Sequence, residues 1–201
     1  MKTGNRSRRT TLLGLLTAIL MVFGMTPLGY LNIGPLAISF NMIPVAVGAA
    51  ALGPVGGAVL GAVFGMTSFL QCIGIGGSSA MGVILFDINP IFAFIQRFVP
   101  RVTAGFLVGV IYQAARRFCK PGLAGSIAGF CAALLNTVLF MGALILLFGN
   151  TQYLTDLIAG RNVIVFICTF VGVNAVAEML ATTAVTGALT AALERSGLLR
   201  R

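Results

Sequence analysis

The sequence predicts an all-α integral membrane protein with six transmembrane helices and both termini on the cytoplasmic side, and three observations lead there. Of the 201 residues, 58% are hydrophobic and 8% charged, with a mean hydropathy of +1.04. That is more apolar surface than a water-soluble domain keeps dry. The apolar stretches come in spans compatible with the ~20 residues that a helix needs to cross the hydrocarbon. Finally, ten of the 13 Lys and Arg fall at the two ends and in one short turn. Only an even number of crossings puts all three groups on the cytoplasmic face, where basic residues accumulate. No polar linker or low-complexity segment divides the chain, so residues 1–201 read as a single domain.

Lys2, Arg6, Arg8 and Arg9 precede the first span, predicted over 11–25. Its basic start and apolar run lack a following small-residue cleavage site, which indicates a retained helix and not a signal peptide. Residues 26–35 (TPLGYLNIGP) are turn-rich and are predicted as an outward loop. A second span is expected over 36–52, with Pro44 as a kink inside it. Gly53-Pro54 then makes a tight turn, Pro54 suiting the first position of the third helix, 54–72. Gly53 in that turn and Gly57, Gly61 and Gly65 within the helix recur every four residues and form a groove without side chains. In lipid such a groove seats a close neighbour, either another helix of the chain or a partner or ligand. A polar Gly/Ser loop is expected over 74–89. Pro90 opens the fourth span, 90–115, interrupted at Pro100. Arg116, Arg117 and Lys120 form the basic turn before the fifth span, 123–148. A second polar loop covers 149–161, and the sixth span runs over 162–193. Arg195, Arg200 and Arg201 close the chain.

The polar residues inside these spans are few, and each is a candidate. Arg97 and Arg101 stand four apart on one face of the fourth span. Arg97 is expected to reach the membrane surface. Arg101 is deep enough either to grip a carboxylate through its planar fork or to form an internal salt bridge. Glu178 is the one carboxylate deep in a predicted span, with Asn174 one turn before it. The pair either contacts a ligand or supplies the partner of Arg101, and Glu178 is also a candidate proton-relay acid. Asn136 and Asn41 carry amides that demand partners in lipid, from a ligand or from a neighbouring helix. Tyr30 and Tyr153 are the tyrosines near the outer face. Gly14 and Ala18 form a further small-residue patch near the cytoplasmic end of the first span.

Several function classes are excluded. Cys72, Cys119, Cys131 and Cys168 share no CxxC spacing and the chain has no His, so neither a zinc site nor a disulfide framework is indicated. The clustered cations are a topology signal and not a nucleic-acid footprint. No nucleophile elbow or P-loop lysine is present, so the chain is not read as an enzyme and no cofactor is implied.

The run TPLGYLNIGPLAISFNMIPVAVGAAALGPVGGAVLGAVFGMTS (26–68) resembles the substrate-binding membrane subunits, the S components, of energy-coupling factor vitamin transporters. FVPR (98–101), the six helices and the basic ends extend the likeness over nearly the whole chain. The resemblance implies a protein that binds a small water-soluble vitamin in a pocket open to the outside. It then docks on a transmembrane coupling subunit driven by two ATPase subunits. The small residues that typically form the docking surface map onto Gly14 and Ala18. The pattern is most like the pantothenate-type members, with Arg101 and Asn136 where these place polar ligand contacts. Tyr30, Asn41, Asn174 and Glu178 complete the expected ligand set. The alternatives are an S component for folate, riboflavin, thiamine or biotin, a self-sufficient proton-coupled transporter or exporter using Glu178, and a membrane scaffold that binds nothing.

Overall fold

The computed structural model describes residues 2–26, 29–33, 36–77, 79–158, 160 and 163–197, with the side chains of 2–6, 30–38, 163–171 and 173–174 outside the description. The elements are α1 (Lys2–Met25), β1 (Tyr30–Ile33), β2 (Leu36–Ser39), α2 (Met42–Leu52), α3 (Pro54–Leu70), α4 (Ala80–Ile88), α5 (Pro90–Ala115), α6 (Pro121–Phe148), α7 (Gln152–Ile158) and α8 (Val163–Arg195). Among the described residues, five helices are long and apolar enough to cross a membrane: Ser7–Met25, Pro54–Ile73, Pro90–Ala115, Pro121–Phe148 and Ala175–Arg195. Met42–Leu52 is a shorter apolar helix.

The second element departs from expectation. Residues 36–39 are not the start of a helix but strand β2, paired antiparallel with β1 in the register Tyr30↔Ser39 to Ile33↔Leu36. A two-stranded hairpin leaves backbone groups unpaired at its edges, which hydrocarbon does not tolerate, so this segment belongs to the aqueous end of the bundle. Helix α2 is left with 11 residues, about 16 Å at 1.5 Å per residue. It is too short to cross alone, but it is buried nearly all round and packs against α1, α3, α5, α6 and α8. Its ends therefore meet protein and not lipid. Pro44 stands in its first turn, where a missing N–H goes unnoticed, and does not kink it.

The Gly53-Pro54 turn is as the sequence predicts. Gly53 adopts φ +83°, a conformation that only glycine takes readily, and Pro54 opens α3. The glycine groove of α3 seats α5 of the same chain. A methyl group on Gly57 would strike the Gly105 carbonyl, and one on Gly61 the Arg101 carbonyl. On Gly65 it would lie 2.9 Å from Phe98 Cα. Helices α6 and α8 meet in the same manner, with Gly125 against Thr190 and Gly129 against the Thr182 backbone.

Both expected loops contain helices. Ser79 caps α4, accepting from the Gly82 N–H at 3.2 Å, and Asn89 caps α5, accepting from Ile91 and Phe92 at 3.0 and 3.1 Å. Leu85 of α4 and Leu154 of α7 are buried with Ala93, Met141, Leu144 and Phe148. Apolar side chains buried under each loop, with a cap before it, turn polar-looking connections into short helices packed on α5 and α6.

The seam between α3 and α5 predicts opposite signs for one chemical change. Gly61→Ala is expected to destabilise the detergent-solubilised protein by about 1–3 kcal/mol, as overpacking does. Gly142→Ala and Gly14→Ala, whose added carbons would meet nothing within 4 Å, are expected to be neutral or to gain up to ~1 kcal/mol of helix propensity. Circular dichroism on heating measures all three, and equal responses would refute the seam.

Candidate ligand-binding site

Arg101 and Arg97 lie on the inner face of α5, each with 6% of its surface exposed. The expected surface position of Arg97 is therefore corrected. Its Nη1 and Nη2 donate to Ser68 at 3.3 Å and Ser79 at 3.2 Å, which hold it inside. The Arg101 guanidinium lies over two phenyl rings, 4.5 Å from the centroid of Phe64 on α3 and 4.9 Å from that of Phe140 on α6. Its Nη1 donates to the Arg97 carbonyl at 2.6 Å, one turn back beside Pro100, which brings no N–H to the helix. Arg97 shares Phe140, 5.3 Å from its centroid. Cation–ring contacts are worth about 2 kcal/mol or more when desolvated.

Glu178, on α8, has 8% of its surface exposed. Helix α8 packs against β2, which brings Glu178 close to Ser39 and within reach of the Arg101 charge. Outside this cluster an ion pair joins Arg116 and Glu194 at 3.1 Å. Asn41 is fully buried where the hairpin enters α2, its amide donating to Ser39 Oγ at 3.2 Å while its Oδ1 accepts nothing among the described residues. Asn136 precedes Phe140 by one turn on the same face of α6, and its Oδ1 is likewise buried without a partner. Ser39 thus lies by both Asn41 and Glu178, Arg101 lies near Glu178, and Asn136 stands one turn from the Phe140 ring that Arg101 faces. The side chains of Tyr30 and Asn174 lie outside the described residues, although the backbone of Tyr30 pairs with Ser39. Gly14 and Ala18 stand apart from this cluster, exposed on α1.

Gln96 was not among the residues that the sequence singled out. It is fully buried on α5, and neither its Nε2 nor its Oε1 has a hydrogen-bond partner among the described residues. An uncharged amide inside an apolar span is the signal that marks Asn41 and Asn136, and Gln96 carries it too. The phenyl platforms Phe64 and Phe140 gave no such signal, because a Phe in a membrane helix is ordinary.

The charge balance of the cluster is uneven. Four carboxylate side chains exist in the whole chain; Asp87, Asp156 and Glu194 are exposed, leaving Glu178 as the buried one. Two buried guanidinium groups against one buried carboxyl leave at least one positive charge in excess.

Fold and site define the class: a multi-pass membrane protein enclosing a polar, cationic site. Residues 8–190 match the family described as "ECF transporter, substrate-specific component", and the chain belongs to that family, one of transporter subunits and not of enzymes. It is also similar to the pantothenic acid transporter PanT of Lactococcus lactis subsp. cremoris (strain MG1363), with 25% identity over 207 residues covering 96% of this chain and 98% of that protein.

A buried amide with neither end satisfied costs about 1–3 kcal/mol. Gln96→Leu, close in volume, is therefore expected to raise the stability of the ligand-free protein by that order. A drop in the thermal midpoint would show that Gln96 is satisfied without a ligand.

Proposed function

We propose that this chain is one six-helix unit that captures a small anionic vitamin, pantothenate, from outside the cell and delivers it to an energy-coupling module. The carrying observation is the excess positive charge buried at Arg97 and Arg101. In lipid a charge is expensive and faces a cavity or a counter-charge, and a carboxylate ligand supplies one. Unsatisfied amide groups on Gln96, Asn41 and Asn136 suit the hydroxyls and amide at the other end of pantothenate. The likeness to PanT points the same way. Thiamine, a cation, fits this charge badly. Folate and biotin share the carboxylate, and the test below includes them. A proton relay has less support, since Glu178 has no second buried acid to pass a proton to.

The measurement is calorimetry on the solubilised protein with each vitamin and with the alcohol analogue of pantothenate. A charge-assisted, desolvated pair is worth about 1.5–3 kcal/mol, so Arg101→Gln is expected to weaken pantothenate binding roughly 10- to 150-fold. The alcohol analogue should lose little further. Arg101→Lys recovers part of the loss, because an ammonium cannot reproduce the fork. Equal losses for acid and alcohol would remove the anionic-vitamin reading, leaving Arg101 as a structural neighbour of Glu178.

Orientation and docking belong to the same proposal. Cations at both ends and in the α5–α6 turn support two cytoplasmic termini. Helix α1 supports docking: Leu15, Met21, Val22 and Met25 are 40–57% exposed, and Gly14 meets nothing within 4 Å. Partners are a transmembrane coupling subunit and two ATPase subunits, reached through Gly14 and Ala18. Gly14→Phe or Ala18→Phe is expected to reduce uptake by reconstituted transporter at least tenfold while calorimetric binding by the isolated chain is unchanged. Parallel loss of both would make the patch internal packing.

A further inference from the structure

Helices α5, α6 and α8 meet at the end of the bundle formed by the α5–α6 turn and the last turn of α8. An open groove of about 800 Å³ lies there, lined by Arg116, Arg117, Phe118, Lys120, Leu123 and Arg195 among others. Its charge is one-sided. Of the lining residues only Glu194 is acidic, and it is taken by Arg116 at 3.1 Å. Arg116 also donates to the Cys119 carbonyl at 3.1 Å, closing the turn. Arg117, Lys120 and Arg195 are exposed, and none of their side chains makes a hydrogen bond or ion pair among the described residues. Helix α6 begins in the same place without a side-chain cap, so the open N–H groups of its first turn add positive potential.

We infer that this groove holds the phosphate headgroup of an anionic phospholipid. The helices that end here are the membrane-crossing ones, so the groove stands at the level of the bilayer's headgroups. Its rim carries apolar side chains turned outward, Phe118 with 88% and Leu123 with 58% of their surface exposed. Next to a bilayer these rest on the glycerol and acyl region, while three uncommitted cations face the phosphate layer. A freely dissolved anion has no use for such a rim. The feature is independent of the vitamin site, which uses none of these residues.

The test is native mass spectrometry of the full-length protein released from nanodiscs of phosphatidylcholine containing a minor fraction of phosphatidylglycerol. Each surface cation contributes about 1 kcal/mol to anionic-lipid attraction, or roughly fivefold in affinity. The triple variant Arg117→Gln/Lys120→Gln/Arg195→Gln should retain phosphatidylglycerol roughly 100-fold less strongly. The variant Lys2→Gln/Arg6→Gln/Arg8→Gln removes the same charge from the other basic cluster and should retain it as the unaltered protein does. All three groove positions are exposed, and unchanged circular dichroism confirms that the variant folds. The single reversal Lys120→Glu gives a second reading of the same site. Equal losses in both triple variants would overturn the proposal in favour of diffuse surface charge, and no loss in either would overturn it outright. Inorganic phosphate is titrated in detergent as the soluble arm. Saturable binding of phosphate to the groove without any preference for phosphatidylglycerol would make it a site for a dissolved anion and refute the lipid assignment.

Discussion

The close backbone contact between α3 and α5 is the constraint on which the rest of the molecule depends. Hydrophobic burial does not drive two helices together in lipid, so close packing must, and only glycine lets two backbones touch. Gly57 meets Gly105, and Gly61 meets the carbonyl of Arg101. That second contact fixes more than helix spacing. Phe64 lies one turn beyond Gly61 on the same face, so the seam that seats Arg101's backbone also slides an aromatic ring beneath its guanidinium. Fastening the bundle and building the site are one event.

Around that ring the molecule solves a harder problem, keeping two guanidinium groups inside a membrane protein. The solution is distributed. Phenyl faces come from α3 and α6, hydroxyls from Ser68 and Ser79, a carboxyl from α8, and a carbonyl from the turn beside Pro100. These contacts orient the cations. Buried amides with open ends raise the free energy of the empty protein. A ligand that completes them recovers that cost.

How much of this was legible depends on what each residue type announces. Gly57, Gly61 and Gly65 announced a close neighbour through their spacing, and the partner is α5. Gly53-Pro54 announced its turn, because few other dipeptides allow that conformation. Arg101, Glu178, Asn41 and Asn136 were conspicuous as polar residues in apolar runs, and each carries a buried polar atom in the fold. The hairpin was not legible. Leu36–Ile38 reads as apolar whether helical or extended, and only pairing with the preceding strand decides the matter. Arg97 misled through its place in the sequence, since the serines that draw it inward come from α3 and from the turn before α4. Gln96 stood in plain view but was overshadowed by the charge beside it. The short helices α4 and α7 hid because their burial depends on α5 and α6, which no local pattern reports.

The packing of strand β2 against α8 has a consequence of scale. Helix α8 has 33 residues, about 50 Å at 1.5 Å per residue, while the bilayer's hydrocarbon is ~30 Å thick. A rod so overlong has no preferred depth of its own, for sliding it by a turn exchanges one apolar stretch for another. The hairpin does have a preferred depth, because its unpaired edges must stay wet. Packed against it through β2, α8 inherits that waterline, and the surplus length is apportioned between the two sides of the membrane by a four-residue strand.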